Sequence, residues 1–506
     1  MGTIRVIIAL YMVVVILIGF YAMKRTKDST DFYAAGRSLG IISIAMASFS
    51  AAISGFVFVG GPGLFYKVGM GSLWLTFPTS ISFAMCWIIM GKRMRLLTET
   101  SECVTAADAI YARYKSNNTR LLTAIATMVG LLLYLATQIS ALGFVIGPIF
   151  NISFKTAVVV GMIIVIIYSV AGGMLAGVYT DVFQGSMMAV ASILIVIFAL
   201  KDGGGTVNMS QALAGADSLA KGGLGAKMTG PWGALTPAAC MAWFFCLSIG
   251  IVGQPHIVHK FYMLKDINKL RWGPSVAAIP GMLGGLFWIM IGLVVKYFAT
   301  TGQLPKEAME LLAKSSDNTV VVYLNYYAPK LIAGMVYAGI ASAVMSTADS
   351  FINIVSACIV KDIPAARGIK LTSKQELNYG RISVIILSIL TIIISFTVGS
   401  KGVAVLGAFG WGTFAAALAP AFGIGLNWKR ATSKGAFWSI LIGLVGNVIF
   451  EVSKTLGAAW YVKLIKPLGI YNGALWMTIS AIVFILVSYA TQEEKIDTGV
   501  EAAMEA

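Results

Sequence analysis

The chain has 506 residues, of which 58% are hydrophobic and 11% charged, whereas soluble domains are roughly half apolar and about a quarter charged. That composition excludes a soluble globular protein and indicates a polytopic membrane protein. A formal charge of +16 could serve an anionic partner, but the positive residues fall in short clusters between apolar runs: Lys24, Arg25, Lys27, Arg37; Lys92, Arg93, Arg95; Lys260, Lys265, Lys269, Arg271; Lys361, Arg367, Lys370, Lys374; Lys429, Arg430, Lys434. This is positive-inside topology, and no aromatic-interleaved patch points to nucleic acid.

Apolar runs able to cross about 30 Å of hydrocarbon as helices occur at 4-23, 39-66, 72-92, 119-149, 154-172, 178-200, 233-260, 274-299, 330-360, 381-400, 403-427, 436-456 and 471-490, thirteen in all. The first, Val6 to Met23, is long for a signal-peptide core, has only Arg5 before it and lacks a small-residue cleavage site, so it reads as a retained helix with its N-terminus outside. Every basic cluster then lies in the cytoplasm, the segments 201-232 and 300-329 lie outside, and the tail Thr491 to Ala506 is cytoplasmic. Thr98 to Lys115 reads as a short amphipathic helix on the cytoplasmic side. The Gly- and Ser-rich segment Asp202 to Gly230 reads as a covering loop, and no soluble domain is expected. Five cysteines, Cys86, Cys103, Cys240, Cys246 and Cys358, give neither a disulfide framework nor a metal spacing.

Several spans carry helix breakers at mid-membrane. Ser54-Gly55, followed by Gly60, Gly61, Pro62 and Gly63, interrupts the second span; Gly250, Gly253 and Pro255 interrupt the seventh. Unwound backbone at that depth must be buried in protein or line a cavity, and paired broken helices point to a transport site; glycines also serve close helix packing. Thr180 and Asp181, in GGMLAGVYTDVFQG, could cap the sixth span, yet Asp181 enters the bundle and needs a partner. His256 and His259 follow Pro255, beside Lys260, without a third metal ligand in the segment.

In the ninth span, AGIASAVMSTADS places Ala343, Ser346, Thr347 and Ser350 at i, i+3, i+4 and i+7, so one helical face gathers side-chain oxygens. A hard cation wants such oxygens, while buried hydroxyls can also bond back to the carbonyl one turn earlier. Asp349 beside them is an ionisable group at membrane depth, and such groups are functional candidates.

Taken together, DFYAAGRSLG, SAAISGFVFVGGPG, GGMLAGVYTDVFQG, GQPHIVHKF and ASAVMSTADS, in order and in the corresponding spans, resemble the sodium:solute symporter family over nearly the whole chain, with GQPH and AVMST similar to its bacterial proline-symporter branch. The resemblance implies an all-α membrane protein with about thirteen transmembrane helices and a leucine-transporter-like pair of inverted five-helix repeats. The corresponding divisions are 1-38 (first helix and loop), 39-200 (first repeat), 201-232 (outer loop), 233-427 (second repeat), 428-490 (two further helices) and 491-506 (tail).

It further implies a sodium site made by the carbonyls of Ser50, Ile53 and Ala343 and the hydroxyls of Ser346 and Thr347. Five neutral oxygens joining two helices suit a dehydrated sodium ion. A second cation site would correspond to Asp181, Ser346, Asp349 and Ser350; two carboxylates there could hold a cation or a proton. The substrate pocket should lie between the broken spans, with Ser54, Gly55, Tyr134, Gln138, Phe244, Phe245, Ser248 and Trp411 as candidates. Proline-transporting relatives carry Trp and Tyr eight and four residues before the Pro of GQPH, where this chain has Leu247 and Ile251, so a small carboxylate or another amino acid stays in play.

The expected function is sodium-coupled symport of a small polar solute, such as proline or a small carboxylate, across the cell (inner) membrane. The expected partners are the solute, sodium and membrane lipid, with no nucleic acid, no obligate protein partner and no catalysis. Proton coupling on the same fold, an intramembrane enzyme using Asp181 and Asp349 as an acid/base pair, and a sensor or channel are the rival readings.

Overall fold

The computed structural model describes residues 2–24, 40–215, 225–398 and 403–506, and these are helical with no strand among them. Arg25, Lys27, Arg37, most of the DFYAAGRSLG segment and residues 216–224 of the outer loop lie outside the described residues.

Helices dominate because a backbone N–H or C=O facing hydrocarbon has no water to bond, and a helix satisfies both internally. Ten described helices are long and apolar enough to cross a membrane, or eleven when the bent pair Pro237–Gly253 and Pro255–Met263 is one span. The expected thirteen is therefore not reached. The second span yields only the 12-residue helix Ile41–Ala52 before its break, and the remainder runs with the third as Phe56–Ser101. The fifth and sixth share one 49-residue helical run, Phe154–Asp202, within which Phe154–Ile167 is a short apolar stretch and Ala176–Asp202 a full span. Thr180 consequently caps no helix: its hydroxyl donates to the carbonyls of Ala176 and Gly177 inside the run.

The core sits around helix Lys330–Ala357, in which every residue from Val336 to Ala357 is buried. A helix covered on all sides is the centre of a large bundle, and it packs against Phe154–Asp202, Asn117–Phe150 and Gly2–Met23. Small residues permit the approach: a Cβ on Gly339 would stand 2.5 Å from the Ala191 Cβ. By contrast, Ser373–Val398 exposes Ile382, Ile385, Ile386, Ile389, Leu390 and Ile393. An apolar stripe of that extent is untenable in water and suits lipid.

The expected amphipathic helix at 98–115 is two pieces. Helix Lys92–Ser101 ends at Glu102, which takes a left-handed conformation, and Ala106–Tyr114 restarts on a Thr105/Asp108 capping box. Most of the second piece is buried against Asn117–Phe150 rather than lying at the interface. Arg113 there donates to the carbonyls of Gly425, Trp428, Lys429 and Ala431, filling the end of the chain's eleventh expected span. The expected covering loop contains helices Thr206–Gly215 and Gly225–Thr229.

Candidate functional site

Both expected helix breaks are present. Helix Ile41–Ala52 stops where Ile53 turns to φ −85°, ψ 98°, and the chain resumes as a wide π turn over Phe56–Gly60. Stopping there releases the last carbonyls of the helix from their usual donors four residues on. The freed Ser50 carbonyl accepts from the Ser346 hydroxyl at 2.8 Å and stands 3.5 Å from that of Thr347. Both hydroxyls also lie against the Ala343 carbonyl, at 3.2 and 2.9 Å respectively. The hydroxyl face thus bonds back along its own helix and across to the broken one at once.

Four oxygens from two helices therefore stand 2.8–3.5 Å from their neighbours. Ligands about 2.4 Å from a hard cation stand roughly 3.4 Å from one another, a spacing close to that of these oxygens. Ile53 lies three residues beyond Ser50, buried, at the point where its own carbonyl leaves the helical ladder.

Beyond the break, the Ser54 hydroxyl meets the Tyr134 phenol at 3.2 Å, and the Gly55 amide donates to the Gln138 side-chain oxygen Oε1 at 2.8 Å. Gly55 has no space for a side chain: an added Cβ would lie 2.7 Å from the Ala141 Cβ and 2.8 Å from a Val344 methyl. Ser54, Gly55, Tyr134 and Gln138 are thus brought together as a junction fixing the break to the fourth span.

The acidic candidates are arranged differently from a simple carboxylate pair. Asp181 is paired with Lys260 at 3.1 Å, and the same ammonium donates to the Ser350 hydroxyl at 3.2 Å. Asp349 accepts from the Ser169 hydroxyl and from the Asn353 amide. All six side chains are fully buried. Lys260 was not a sequence candidate; it stood in a basic cluster that served as a topology marker. The signal that distinguishes it is the apolar run Phe261 to Leu264 directly after it, which is buried with it. His256, beside the second break, sets its ring edge-on to Phe351, Tyr134 and Trp411.

A cavity of about 140 Å³ lies between the second, fourth, seventh and eleventh expected spans, with Phe56, Tyr134, Trp243, Leu247, Trp411 and Tyr471 among its walls and Lys454 at its edge. Of the residues expected at the substrate pocket, Tyr134 and Trp411 line this cavity. Phe244, Phe245 and Ser248 do not: Phe244 sets its ring edge-on to Trp74, Phe245 is 51% exposed, and Ser248 bonds back to the Phe244 carbonyl. Trp243 and Leu247, four residues apart and so on one face of the same helix, line the cavity instead.

The chain is similar to known proteins. The sodium:solute symporter family model matches residues 32–443. The osmoregulated proline transporter of Bacillus subtilis is 25% identical over 501 residues, covering 97% of this chain and 96% of the relative. A sodium/proline symporter of Haemophilus influenzae is 28% identical, covering 97% and 95%. Among solved structures, a substrate-bound, outward-open Na+-coupled sialic acid symporter superposes with a TM-score of 0.76 at 17% identity, covering 98% of this chain and 99% of that one. The chain belongs to the sodium:solute symporter family: a multi-pass, all-helical membrane protein of leucine-transporter-like fold that takes up a small-molecule solute with sodium as the co-transported ion.

Proposed function

We propose that sodium binds among the carbonyls of Ser50, Ile53 and Ala343 and the hydroxyls of Ser346 and Thr347, and that the solute occupies the cavity bounded by Tyr134, Trp243, Leu247 and Trp411. The observation that carries this reading is the Ser346 hydroxyl on the Ser50 carbonyl, because it joins a broken helix to the central one. An ion there favours the conformation in which the two helices are together, and it shifts the equilibrium only by its preference for that conformation. In the proposed cycle outer sodium stabilises the outward-open state, solute binding permits occlusion, and the inner face then opens.

The solute is a small amino acid, proline foremost, or a small carboxylate. The cavity is smaller than the pockets that hold drug-sized ligands, and its walls are largely aromatic and aliphatic. The relatives named for proline support the same class. We place residues 39–200 and 233–427 as the two five-helix repeats. The N-terminus lies outside and the C-terminus in the cytoplasm of the cell (inner) membrane, an orientation supported by the basic clusters.

Uptake into proteoliposomes under an inward sodium gradient, with labelled proline, other amino acids, monocarboxylates and sugars, tests this. Saturable accumulation of intact proline or a close analogue, collapsing when the gradient is dissipated, is the expected result. Accumulation indifferent to sodium, or chemical turnover of the solute, contradicts it.

A further inference from the structure

Lys260 takes no part in the sodium cluster or in the cavity wall, yet it is fully buried. It is carried on the tight turn His259–Met263, which follows the helical turn Pro255–Val258 past the break at Gln254 where the seventh span bends by 47°. Its ammonium reaches the Asp181 carboxylate at 3.1 Å and the Ser350 hydroxyl at 3.2 Å, so three separate stretches of chain meet on one cation. Ser350 lies one helical turn beyond Ser346 on the same face, about 6 Å along the helix from the sodium cluster.

A carboxylate removed from water needs a cation or dedicated donors. Asp349 has donors, in Ser169 and Asn353. For Asp181 the chain supplies Lys260, a cation that cannot leave with the solute. Buried carboxylate and hydroxyl oxygens of this kind are what a hard mobile cation would otherwise coordinate. We propose that Lys260 is a tethered cation holding the place in the Asp181–Ser350 cluster that a second mobile ion would fill, so that one sodium ion binds and moves per cycle. The proposal rests on sodium binding at Ser346 and Thr347.

Radiolabelled sodium bound per chain of purified full-length protein tests it. The wild type should bind one ion, Lys260→Arg one, Lys260→Gln two, and the Lys260→Gln/Asp181→Asn double variant one again, because the gained ion needs the freed carboxylate. Two ions on the wild type, or a folded Lys260→Gln protein that binds one, overturns the proposal. If Lys260→Gln does not fold, the wild-type count decides alone. Ser346→Ala with Thr347→Ala removes the wild-type ion if the sodium assignment is right. An ion that persists there refutes that assignment, while the gain on Lys260→Gln is still read independently.

Discussion

The Ser346 hydroxyl lies 2.8 Å from the Ser50 carbonyl, although 296 residues of chain separate them. The contact exists because two local features coincide: a helix that ends at Ala52 and leaves a carbonyl without a donor, and a hydroxyl on the buried stretch of helix Lys330–Ala357 that points at it. Neither feature alone makes a cation site. An ion bound between them reports on the distance between two helices, which is the quantity a symporter must control.

The Asp181–Lys260 pair should be strongly coupled. Removing one member of a buried pair strands the other's charge and typically costs about 3–5 kcal/mol. In sodium-free detergent, Asp181→Asn and Lys260→Gln should each lower the thermal unfolding temperature, and the double variant should lose far less than the sum. Additive losses would show that the two side chains do not act as a pair.

Opposite faces of helix Pro237–Ile249 should respond differently. Leu247→Ala enlarges the cavity wall and is expected to change the KM for the solute several-fold with a smaller effect on sodium activation. Phe245→Ala alters an exposed side chain and should leave solute KM within about twofold, as surface changes of under ~0.5 kcal/mol do. A larger KM change in Phe245→Ala than in Leu247→Ala contradicts the placement of the cavity.

Gly55→Ala is expected to be damaging despite adding one methyl. That methyl collides with Ala141 and Val344, and overpacking of this kind costs about 1–3 kcal/mol. It should lower both thermal stability and uptake, whereas unchanged uptake would mean the junction at Tyr134 and Gln138 yields freely.

Between the expected eighth and ninth spans, Asp317 is 3% exposed and accepts from the Val403 amide at 2.7 Å. Burial pushes its carboxyl up from 3.8 to about 6, against the opposing pull of that amide and of Lys67. The folded value lies above the unfolded one, so this group favours the folded state fully below about pH 4, and the benefit is lost as pH rises through about 6, roughly 3 kcal/mol in all. Asp317→Asn keeps an acceptor for Val403 and should gain stability over the wild type between about pH 4 and pH 7. A stability difference that stays constant across that range contradicts it.

Much of this was legible in the sequence because lipid makes polar groups and helix breakers conspicuous. Ser346 and Thr347 stood out as hydroxyls where hydrocarbon was expected, and Ser54-Gly55 and Gly253 to Pro255 announced the breaks through residues that weaken or interrupt helices. The wall of the seventh span was not legible: Pro237–Ile249 is apolar on all sides, so nothing in its composition separates Trp243 and Leu247 from Phe244 and Phe245. Lys260 was hidden for the opposite reason, since a lysine between spans ordinarily marks the cytoplasmic side. The count of thirteen is not confirmed in part because Phe154–Asp202 is one helical run through Gly172 and Gly173, residues that read as a separation.

The central claim is that sodium binds between Ser50 and Ser346. Initial uptake rates in proteoliposomes, measured across a sodium titration for the wild type and for Ser346→Ala with Thr347→Ala, test it most directly. Loss of sodium stimulation, with solute binding retained at high solute concentration, is the predicted result; a sodium activation curve unchanged from the wild type contradicts the account.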